Sequence, residues 1–223
     1  MQIELSIILP VFNKKNSIEH VITQIETIIA KSPRIASYEI ICIDDCSTDE
    51  SLAVLKKLSS KHLVLIELIK NQGQLRAVEI GLKQANGEIT AIYSCDLQNP
   101  FQTIPVLFDA IKKGHNAAIG FRSKRSDSGF DVIMSKVFFK IVSLFERKMP
   151  AGGFDFVLLD QEVKTQLLTK DFSKIFLQIE ILRSSRNTYF LPTERINDNF
   201  DKSSWTLKAK LNYALKAFKY LIK

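Results

Sequence analysis

The chain has 223 residues, 46% of them hydrophobic, which is enough for one large globular domain or two small ones. Three cysteines without a C-x-x-C pair and three scattered histidines argue against a disulfide framework and a zinc site, and favour a reducing compartment. The net charge of +7 is uneven: residues 202–223 hold six lysines and no acid, so the rest of the chain is close to neutral and is not a nucleic-acid-binding surface by charge.

Five apolar runs predict buried strands in the first half of the chain. The N-terminus has no basic region, so it is predicted to be a strand and not a signal peptide, and no apolar stretch reaches the roughly 20 residues that span a bilayer. The predicted strands cover residues 5–9, 38–43, 62–69, 89–93 and 117–121.

Apolar residues at helical spacing separate these strands. The predicted helices lie around residues 18–28, 52–58, 75–85 and 104–111. Asn16 or Ser17 is predicted to cap the first helix, and Ser47 or Thr48 the second. This alternation with short connections predicts an α/β fold whose mostly parallel sheet is covered by helices on both faces.

The pattern changes after residue 125. A long amphipathic helix is predicted over 132–149, a strand-like segment over 154–160, helices over 161–168 and 172–183, and a short strand over 189–191. No internal repeat or low-complexity linker divides the chain. We therefore predict one domain over residues 1–201, followed by a basic amphipathic segment over 202–223.

Short, mostly polar turns follow four of the predicted strands. They contain Phe12 and Asn13, Asp44 and Asp45, the turn from Asn71 to Gln74, and Asp96 with Gln98. Because the carboxyl ends of parallel strands lie side by side, these groups are predicted to converge on one crevice, where open α/β sheets bind ligands. Helix capping explains any one of these turns, Asp96 included, but four together are better explained by a ligand site.

The stretch from Ser94 to Pro100 offers oxygen ligands at a strand end. Asp96 provides a carboxylate and Gln98 an amide, the hard donors that suit a magnesium ion bridging a diphosphate. The sequence has no G-x-G-x-x-G after its first strand and no G-x-x-x-x-G-K-[ST] anywhere. A carboxylate-held metal is therefore the remaining way to neutralise a bound diphosphate.

Several short motifs, in order along the chain, carry a family resemblance. They are L-S-I-I-L-P-V-F-N, I-C-I-D-D-C-S-T-D, N-Q-G-Q with G-L-K-Q-A-N-G-E, S-C-D-L-Q-N-P, G-F-R-S-K-R, G-G-F-D-F-V-L-L-D and D-K-S-S-W-T-L-K-A-K. Together they resemble the inverting family 2 glycosyltransferases over residues 5 to about 210. The most similar branch is that of the polyprenyl-phosphate sugar transferases, which includes dolichyl-phosphate mannose synthase.

The resemblance implies a GT-A fold, a nucleoside-diphosphate sugar donor and a divalent metal, Mg²⁺ or Mn²⁺. It implies that Asp96 and Gln98 face the metal, that Arg122 and Lys124 face donor or acceptor phosphates, and that Asp155 is a catalytic base or positions the acceptor. The implied nucleotide-binding residues are Pro10, Phe12, Asn13, Asp44, Asp45, Asn71 and Gln74, of which Pro10, Phe12 and either Asp44 or Asp45 would hold the base and ribose.

This chain departs from the family pattern at four positions. Lys14 stands where the family has glutamate, and Ser94 replaces the first acid of D-x-D, which removes one carboxylate from the metal side. Val157 replaces the arginine of G-D-F-R-L, so a phosphate contact there must come from Arg122 or Arg125. Cys46 replaces a glycine, a milder change.

The basic segment 202–223 places apolar residues at helical spacing among its lysines. The apolar positions are Trp205, Leu207, Leu211, Leu215, Phe218 and Ile222. Such a helix can lie in an anionic membrane interface; the alternative is a last helix packed on the domain with its lysines in solvent. The branch often carries two membrane spans beyond this point, and the given sequence stops before them. The resemblance therefore implies a peripheral enzyme at the cytoplasmic face, or one with a membrane-protein partner.

Three functions are compatible with these sequence features. The leading hypothesis is metal-dependent transfer of a sugar from a nucleoside-diphosphate sugar to a polyprenyl phosphate. In this reaction the acceptor attacks the anomeric carbon and the nucleoside diphosphate leaves from the opposite face. The second is transfer to a glycan hydroxyl in cell-surface polysaccharide assembly. The third, suggested by Lys14, Ser94 and Val157, is a non-catalytic subunit that binds nucleotide sugars.

Overall fold

The computed structural model describes residues 2–95, 100–122, 139–140, 142–154, 156–194 and 220. Seven strands in these ranges form a single sheet. They are β1 Leu5–Val11, β2 Tyr38–Asp44, β3 Leu63–Glu67, β4 Ile89–Ile92, β5 Ala117–Arg122, β6 Phe156–Leu159 and β7 Thr188–Thr193.

Helices connect and cover the strands. They are α1 Ile18–Ala30, α2 Ser51–Lys57, α3 Gln74–Gln84, α4 Ile104–Lys112, α6 Gln161–Leu168 and α7 Leu177–Ser184, with a 3-10 turn at Phe101–Thr103 before α4. The helical residues 139–140 and 142–145 are numbered α5. No helix in the described ranges is both long enough and apolar enough to cross a bilayer.

The sheet has the strand order β3-β2-β1-β4-β6-β5-β7. β1 pairs in parallel with β2 and β4, β2 with β3, and β5 with β7, whereas β6 runs antiparallel between β4 and β5. The predicted mostly parallel sheet is therefore confirmed. The chain moves outward from β1 to β3 and returns to β4 on the other side of β1, which makes the β1–β4 boundary the topological switch point.

Apolar clusters cover both faces of the sheet, and β1 shows how one strand serves both. Ile7 and Leu9 belong to a cluster with α1 and α4, whereas Ile8 belongs to a cluster with α3, α6 and α7. Successive side chains of a strand point to opposite faces, so a strand covered on both sides must be apolar throughout. This burial explains the unbroken apolar run that predicted the strand.

Three predicted helix boundaries are wrong. α2 begins at Ser51, so neither Ser47 nor Thr48 caps it. The long helix predicted to reach residue 149 ends at Phe145 among the described residues. α7 begins at Leu177 and not at 172, because residues 171–176 form a turn that buries aromatic side chains.

Two other turn predictions change in detail. Gln74, predicted to lie in a turn, is the first residue of α3. Ser17 occupies the predicted N-cap position of α1, yet its side chain makes no capping hydrogen bond.

A buried polar network at the amino edge of the sheet fixes the turn into β4. The Gly87 amide donates to Ser6 Oγ at 2.7 Å, and Ser6 Oγ donates to Glu39 Oε1 at 2.6 Å. Glu39 also accepts from the Asn86 amide at 2.8 Å. A Cβ on Gly87 would lie 2.5 Å from the Ser6 nitrogen, so this close approach requires glycine.

Candidate functional site

The carboxyl ends of β1, β2, β3 and β4 meet at one edge of the sheet. Backbone hydrogen bonds continue the pairing past the strand ends: the Asp45 amide donates to the Val11 carbonyl at 2.8 Å, and the Leu68 amide to the Asp44 carbonyl at 2.9 Å. The Tyr93 amide donates to the Ile8 carbonyl at 3.1 Å on the other side of β1. The four strand ends therefore lie at one edge, as a parallel sheet requires, whereas Asp96 and Gln98, predicted to join them, lie outside the described residues.

Pro10 lies where β1 and β4 separate. The β1–β4 ladder ends at the Ile8–Ile92 pair, and the residue two positions beyond Ile8 would direct its own N–H toward β4. Proline has no N–H to donate, so the ladder stops there while the pairing of Pro10 with Ile43 of β2 continues. The pairing of β1 with β4 therefore ends at the switch point.

Phe12 is the exposed aromatic residue at this edge. Its side chain is 41% exposed, although it directly follows the buried Val11. Asn13 comes next with a left-handed φ of 53°, where its Oδ1 accepts from the Thr48 amide at 2.8 Å and its own amide donates to Ser47 Oγ at 3.0 Å. Asn13 therefore ties the β1 loop, which carries the exposed Phe12, to the β2 loop.

The turn after β2 contains a second residue in the left-handed region. Cys46 has a φ of 58°, a conformation that costs a non-glycine residue about 1–2 kcal/mol. The glycine expected from the family resemblance would adopt it without strain. Sequence reasoning missed the roles of Ser47 and Thr48, because their order along the chain fits a helix cap equally well.

The two adjacent aspartates have different environments. Asp44 is 1% exposed, and its Oδ2 accepts from the Ser47 amide at 3.0 Å. Its Oδ1 is buried and has no hydrogen-bond partner in the described structure. A buried acceptor without a donor is costly, and a bound hydroxyl or N–H group would satisfy it.

Asp45 holds the turn that follows β3. Its Oδ1 accepts from the Gln72 amide at 2.6 Å and its Oδ2 from the Gly73 amide at 2.7 Å. Asn71 Nδ2 donates to the Asp45 carbonyl at 3.2 Å, and Gly73 has a φ of 85° immediately before α3. Both carboxylate oxygens of Asp45 are thus engaged, and Gln74 is exposed at the start of α3.

The loop after Asn13 is anchored on α2. The Lys14 amide donates to Ser51 Oγ at 2.6 Å, and the Lys15 amide to Asp49 Oδ2 at 3.2 Å. Burial alone would raise the pKa of Asp49, but the hydrogen bonds from Ser51 and Lys15 lower it, so this carboxylate stays ionised. The anchoring fixes the loop that carries Phe12.

The β4 and β6 sides of the crevice are joined by aromatic packing. Tyr93 is 1% exposed and stacks on Phe156 with ring centroids 4.8 Å apart. Val157 pairs with Ile92 of β4 and Ile119 of β5 and is 2% exposed. At the position where the family has arginine, this chain therefore buries an apolar side chain and supplies no cation.

The remaining predicted site residues fall outside the described part of the structure. Asp96, Gln98, Lys124 and Asp155 lie in undescribed positions, and for Arg122 only the backbone, at the carboxyl end of β5, is described. Within the described ranges no group of three or more His, Cys, Asp or Glu could hold a metal ion. The metal, phosphate and base assignments therefore stay predictions.

Known proteins resemble this chain in sequence. Residues 6–157 match the family model of glycosyl transferase family 2. The chain is 35% identical over 120 residues to the dolichol-phosphate mannosyltransferase of Pyrococcus furiosus, covering 53% of this chain and 33% of that protein. It is 34% identical over 135 residues to the undecaprenyl-phosphate 4-deoxy-4-formamido-L-arabinose transferase of Pectobacterium atrosepticum, covering 59% of this chain and 40% of that protein. Each alignment spans less than half of the relative.

Solved structures resemble it in fold. The mannosyltransferase PcManGT from Pyrobaculum calidifontis, in complex with GDP-Man and Mn²⁺, superposes with a TM-score of 0.69 and 17% identity. The match covers 100% of this chain and 65% of that one. The likeness establishes the fold, which is the predicted GT-A class.

Proposed function

This chain belongs to glycosyl transferase family 2, and we propose that it transfers a sugar from a nucleoside-diphosphate sugar to a prenyl phosphate, with inversion at the anomeric carbon. The observation that supports this most is the pair formed by exposed Phe12 and the partnerless Asp44 Oδ1 at neighbouring strand ends. Val11 is the register partner of Asp44, so the aromatic face and the free acceptor lie on adjacent strands at the switch point.

In this proposal the two groups hold the nucleoside part of the donor. Phe12 offers a face for the base, and Asp44 accepts a hydrogen bond from an N–H or hydroxyl group of the base or ribose. Asn13, Asp45 and Asn71 support the site by holding its loops, and Pro10 keeps the crevice open. Gln74, exposed at the start of α3, borders the same edge.

We assign the metal side of the donor to Asp96 and Gln98. Their carboxylate and amide oxygens fit Mg²⁺ or Mn²⁺ by donor chemistry, and the chain enters this stretch at Cys95, just past the carboxyl end of β4. A bound ion would neutralise the charge that develops on the leaving diphosphate. Arg122 and Lys124, at and after the end of β5, are assigned to the phosphates of donor or acceptor.

The family relationship supports binding of the donor, and calorimetry tests it. We expect one of UDP-, GDP- or dTDP-sugars to bind in the presence of Mn²⁺ and to bind more weakly in its absence. Release of the nucleoside diphosphate, measured on the same mixtures, distinguishes an enzyme from a subunit that only binds the nucleotide sugar. Absence of binding by every nucleotide sugar tried would contradict the proposal.

A non-catalytic binder is the second candidate. Ser94 leaves Asp96 as the one acid between residues 94 and 100, and the buried Val157 removes a cation from the acceptor side. These losses affect the leaving group and the acceptor, whereas Phe12 and Asp44, assigned to the nucleoside, are present. Tight metal-dependent binding without diphosphate release, with acceptor present, would favour this candidate.

Phe12→Ala is expected to weaken nucleotide binding by about tenfold or more, because stacking of a base on an aromatic ring is worth roughly 1–3 kcal/mol. Phe12→Tyr keeps the ring and should bind as the unmodified protein does. The measurement is calorimetric titration with the nucleotide that the donor screen identifies. Equal affinity of the alanine variant would remove Phe12 from the base-binding role.

Asp155→Asn distinguishes the two acceptor classes. A general base contributes about 10²–10⁴-fold, and a glycan hydroxyl needs one, whereas a prenyl phosphate is already ionised. With prenyl phosphate we therefore expect single-turnover transfer by the Asn variant to fall by less than about 10²-fold, Asp155 acting to orient the acceptor. A larger loss, together with a changed pH–rate profile, would establish Asp155 as a base.

We further propose that the protein acts peripherally, at the cytoplasmic face of the membrane that holds a prenyl-phosphate acceptor. The lysine-rich segment 202–223 provides charge for an anionic surface. Its described residue, Tyr220, is helical and packs against the apolar cluster that includes α7.

A further inference from the structure

Two large apolar side chains project from the end of α5 into solvent. Leu144 is 75% exposed and Phe145 is 49% exposed. They are consecutive, so together they form an exposed apolar patch and not a single exposed residue of the kind that every surface carries.

Other side chains of this segment fill the inward face of α5. Val142 is fully buried and Met149 is 5% exposed, and Phe139 packs against the same apolar cluster. Beyond the helix the Glu146 amide donates to the Val142 carbonyl at 2.9 Å, and the Met149 amide to the Glu146 carbonyl at 3.0 Å. Leu144, two residues after Val142, is therefore directed away from this filled face, and Phe145, three residues after Val142, lies at its border and is half exposed.

Basic residues border this patch. Lys140 lies four residues before Leu144 on the helix, hence on the same face, and both Lys140 and Arg147 are exposed. Lys148 is also exposed, and its Nζ donates to the Ser185 carbonyl at 3.0 Å. Each of the three keeps a positive charge at the surface next to the apolar pair.

The one acid in this segment is neutralised from α7. Glu146 Oε2 lies 3.7 Å from Arg183 Nε, and Glu146 Oε1 accepts from the Lys148 amide at 3.3 Å. Arg183 also lies near Glu180 Oε1, at 4.0 Å, and its guanidinium is 5.5 Å from the centroid of the Tyr220 ring. Arg183 thus connects the end of α5 to Tyr220, around which the sequence is rich in lysine.

We propose that Leu144 and Phe145, ringed by Lys140, Arg147 and Lys148, form a contact surface for an anionic lipid bilayer. Apolar side chains that enter the interface beside lysine and arginine on the surrounding surface are the combination by which peripheral proteins bind anionic membranes. A protein partner with an apolar pocket would not account for a rim of one charge sign unless it were itself acidic. The Tyr220–Arg183 contact places Tyr220, the one described residue of the basic segment, near the residue that binds Glu146.

This inference extends the proposed function, since a prenyl-phosphate acceptor resides in a bilayer, but its test does not depend on transfer. The experiment is flotation of the full chain with phosphatidylcholine vesicles, with and without phosphatidylglycerol, at low and high salt. We expect flotation with the anionic vesicles at low salt and its loss at high salt, because salt screens the basic rim.

The decisive variant is Leu144→Ser combined with Phe145→Ser. Loss of both apolar side chains is expected to weaken partitioning into anionic vesicles by at least about tenfold, because each side chain no longer leaves water on binding. Leu144→Ser alone should give a smaller loss, and it guards against misfolding of the double variant. Val106→Ser is the matched control, since Val106 is also 41% exposed but lies on α4.

The outcomes separate the possible occupants of this surface. The proposal holds if the double variant loses vesicle binding while Val106→Ser and nucleotide binding by calorimetry stay unchanged. It is overturned if the double variant floats like the unmodified protein, which would leave membrane binding to residues 202–223 alone. It is also overturned if vesicles do not bind, or if the unmodified chain is a dimer that the double variant dissociates.

Discussion

Asp96→Ala is expected to lower the rate of diphosphate release by about 10²–10³-fold while the melting temperature stays unchanged. Loss of one group that stabilises charge on a leaving oxygen typically costs this much. Ser94 stands where the family has a second acid, so no second carboxylate in this motif can share the loss. The measurement is single-turnover release from the donor nucleotide sugar at saturating Mn²⁺.

Ser94→Asp is the matched variant for this prediction. It restores the D-x-D pattern, and an added carboxylate should lower the Mn²⁺ concentration that supports half-maximal release by about tenfold. The two substitutions lie two residues apart and are expected to act in opposite directions. An Asp96→Ala protein that releases diphosphate at the original rate would contradict the assignment of the metal side to this stretch.

Asp45→Ala is expected to destabilise the protein by about 3 kcal/mol, because two backbone amides lose a charged acceptor and are left without a partner. Those amides belong to Gln72 and Gly73, 2.6 and 2.7 Å from the carboxylate oxygens. For a chain of this length the melting temperature should fall by roughly 6–12 °C, measured by circular dichroism. Nucleotide binding should weaken with it, since the turn before α3 loses its support.

Two controls make this result specific. Asp45→Asn keeps one acceptor oxygen and should lie between the alanine variant and the unmodified protein. Asp171→Ala removes an exposed aspartate that accepts from the Ser173 amide at 3.0 Å in another turn, and it should change the melting temperature little. An Asp45→Ala protein that melts normally would show that the Asn71–Gly73 turn is held by other contacts.

The strand architecture could be predicted from the sequence because burial on both faces leaves a strong signal. β1, β2 and β4 are almost wholly buried, and each therefore appears as an unbroken apolar run followed by polar residues. Since parallel strands end at the same edge, the convergence of Phe12, Asp44 and Asn71 followed from order alone. The antiparallel direction of β6 could not be predicted, because a run of four apolar residues does not indicate whether the strand is parallel or antiparallel to its neighbours.

The separate roles of Asp44 and Asp45 could not be predicted. The two residues are chemically identical neighbours, and only the position of the β3 turn decides which carboxylate meets the Gln72 and Gly73 amides. Those contacts join residues 27 and 28 positions apart, beyond the reach of local pattern. The structure thus distinguishes Asp45, which supports a loop, from Asp44, whose Oδ1 has no partner in the described residues.

The N-cap prediction for α2 failed for a related reason. Ser47 and Thr48 have the chemistry of caps. However, Asn13 Oδ1, 35 residues from Thr48 in sequence, accepts hydrogen bonds from the Thr48 amide and hydroxyl. Asn13 and Cys46 both adopt a left-handed φ, which allows these hydrogen bonds between the two loops. A local motif was overridden by the assembly of two loops at the crevice, the same assembly that leaves Phe12 exposed.

The most direct test of the central claim is transfer of labelled sugar from the donor identified by calorimetry into an organic-extractable prenyl phosphate. We expect label to enter the lipid fraction with Mn²⁺ present, to stay in the aqueous fraction with chelator, and to carry the inverted anomeric configuration. Metal-dependent donor binding with no labelled lipid and no diphosphate release would contradict the claim, and it would identify the chain as a nucleotide-sugar-binding subunit.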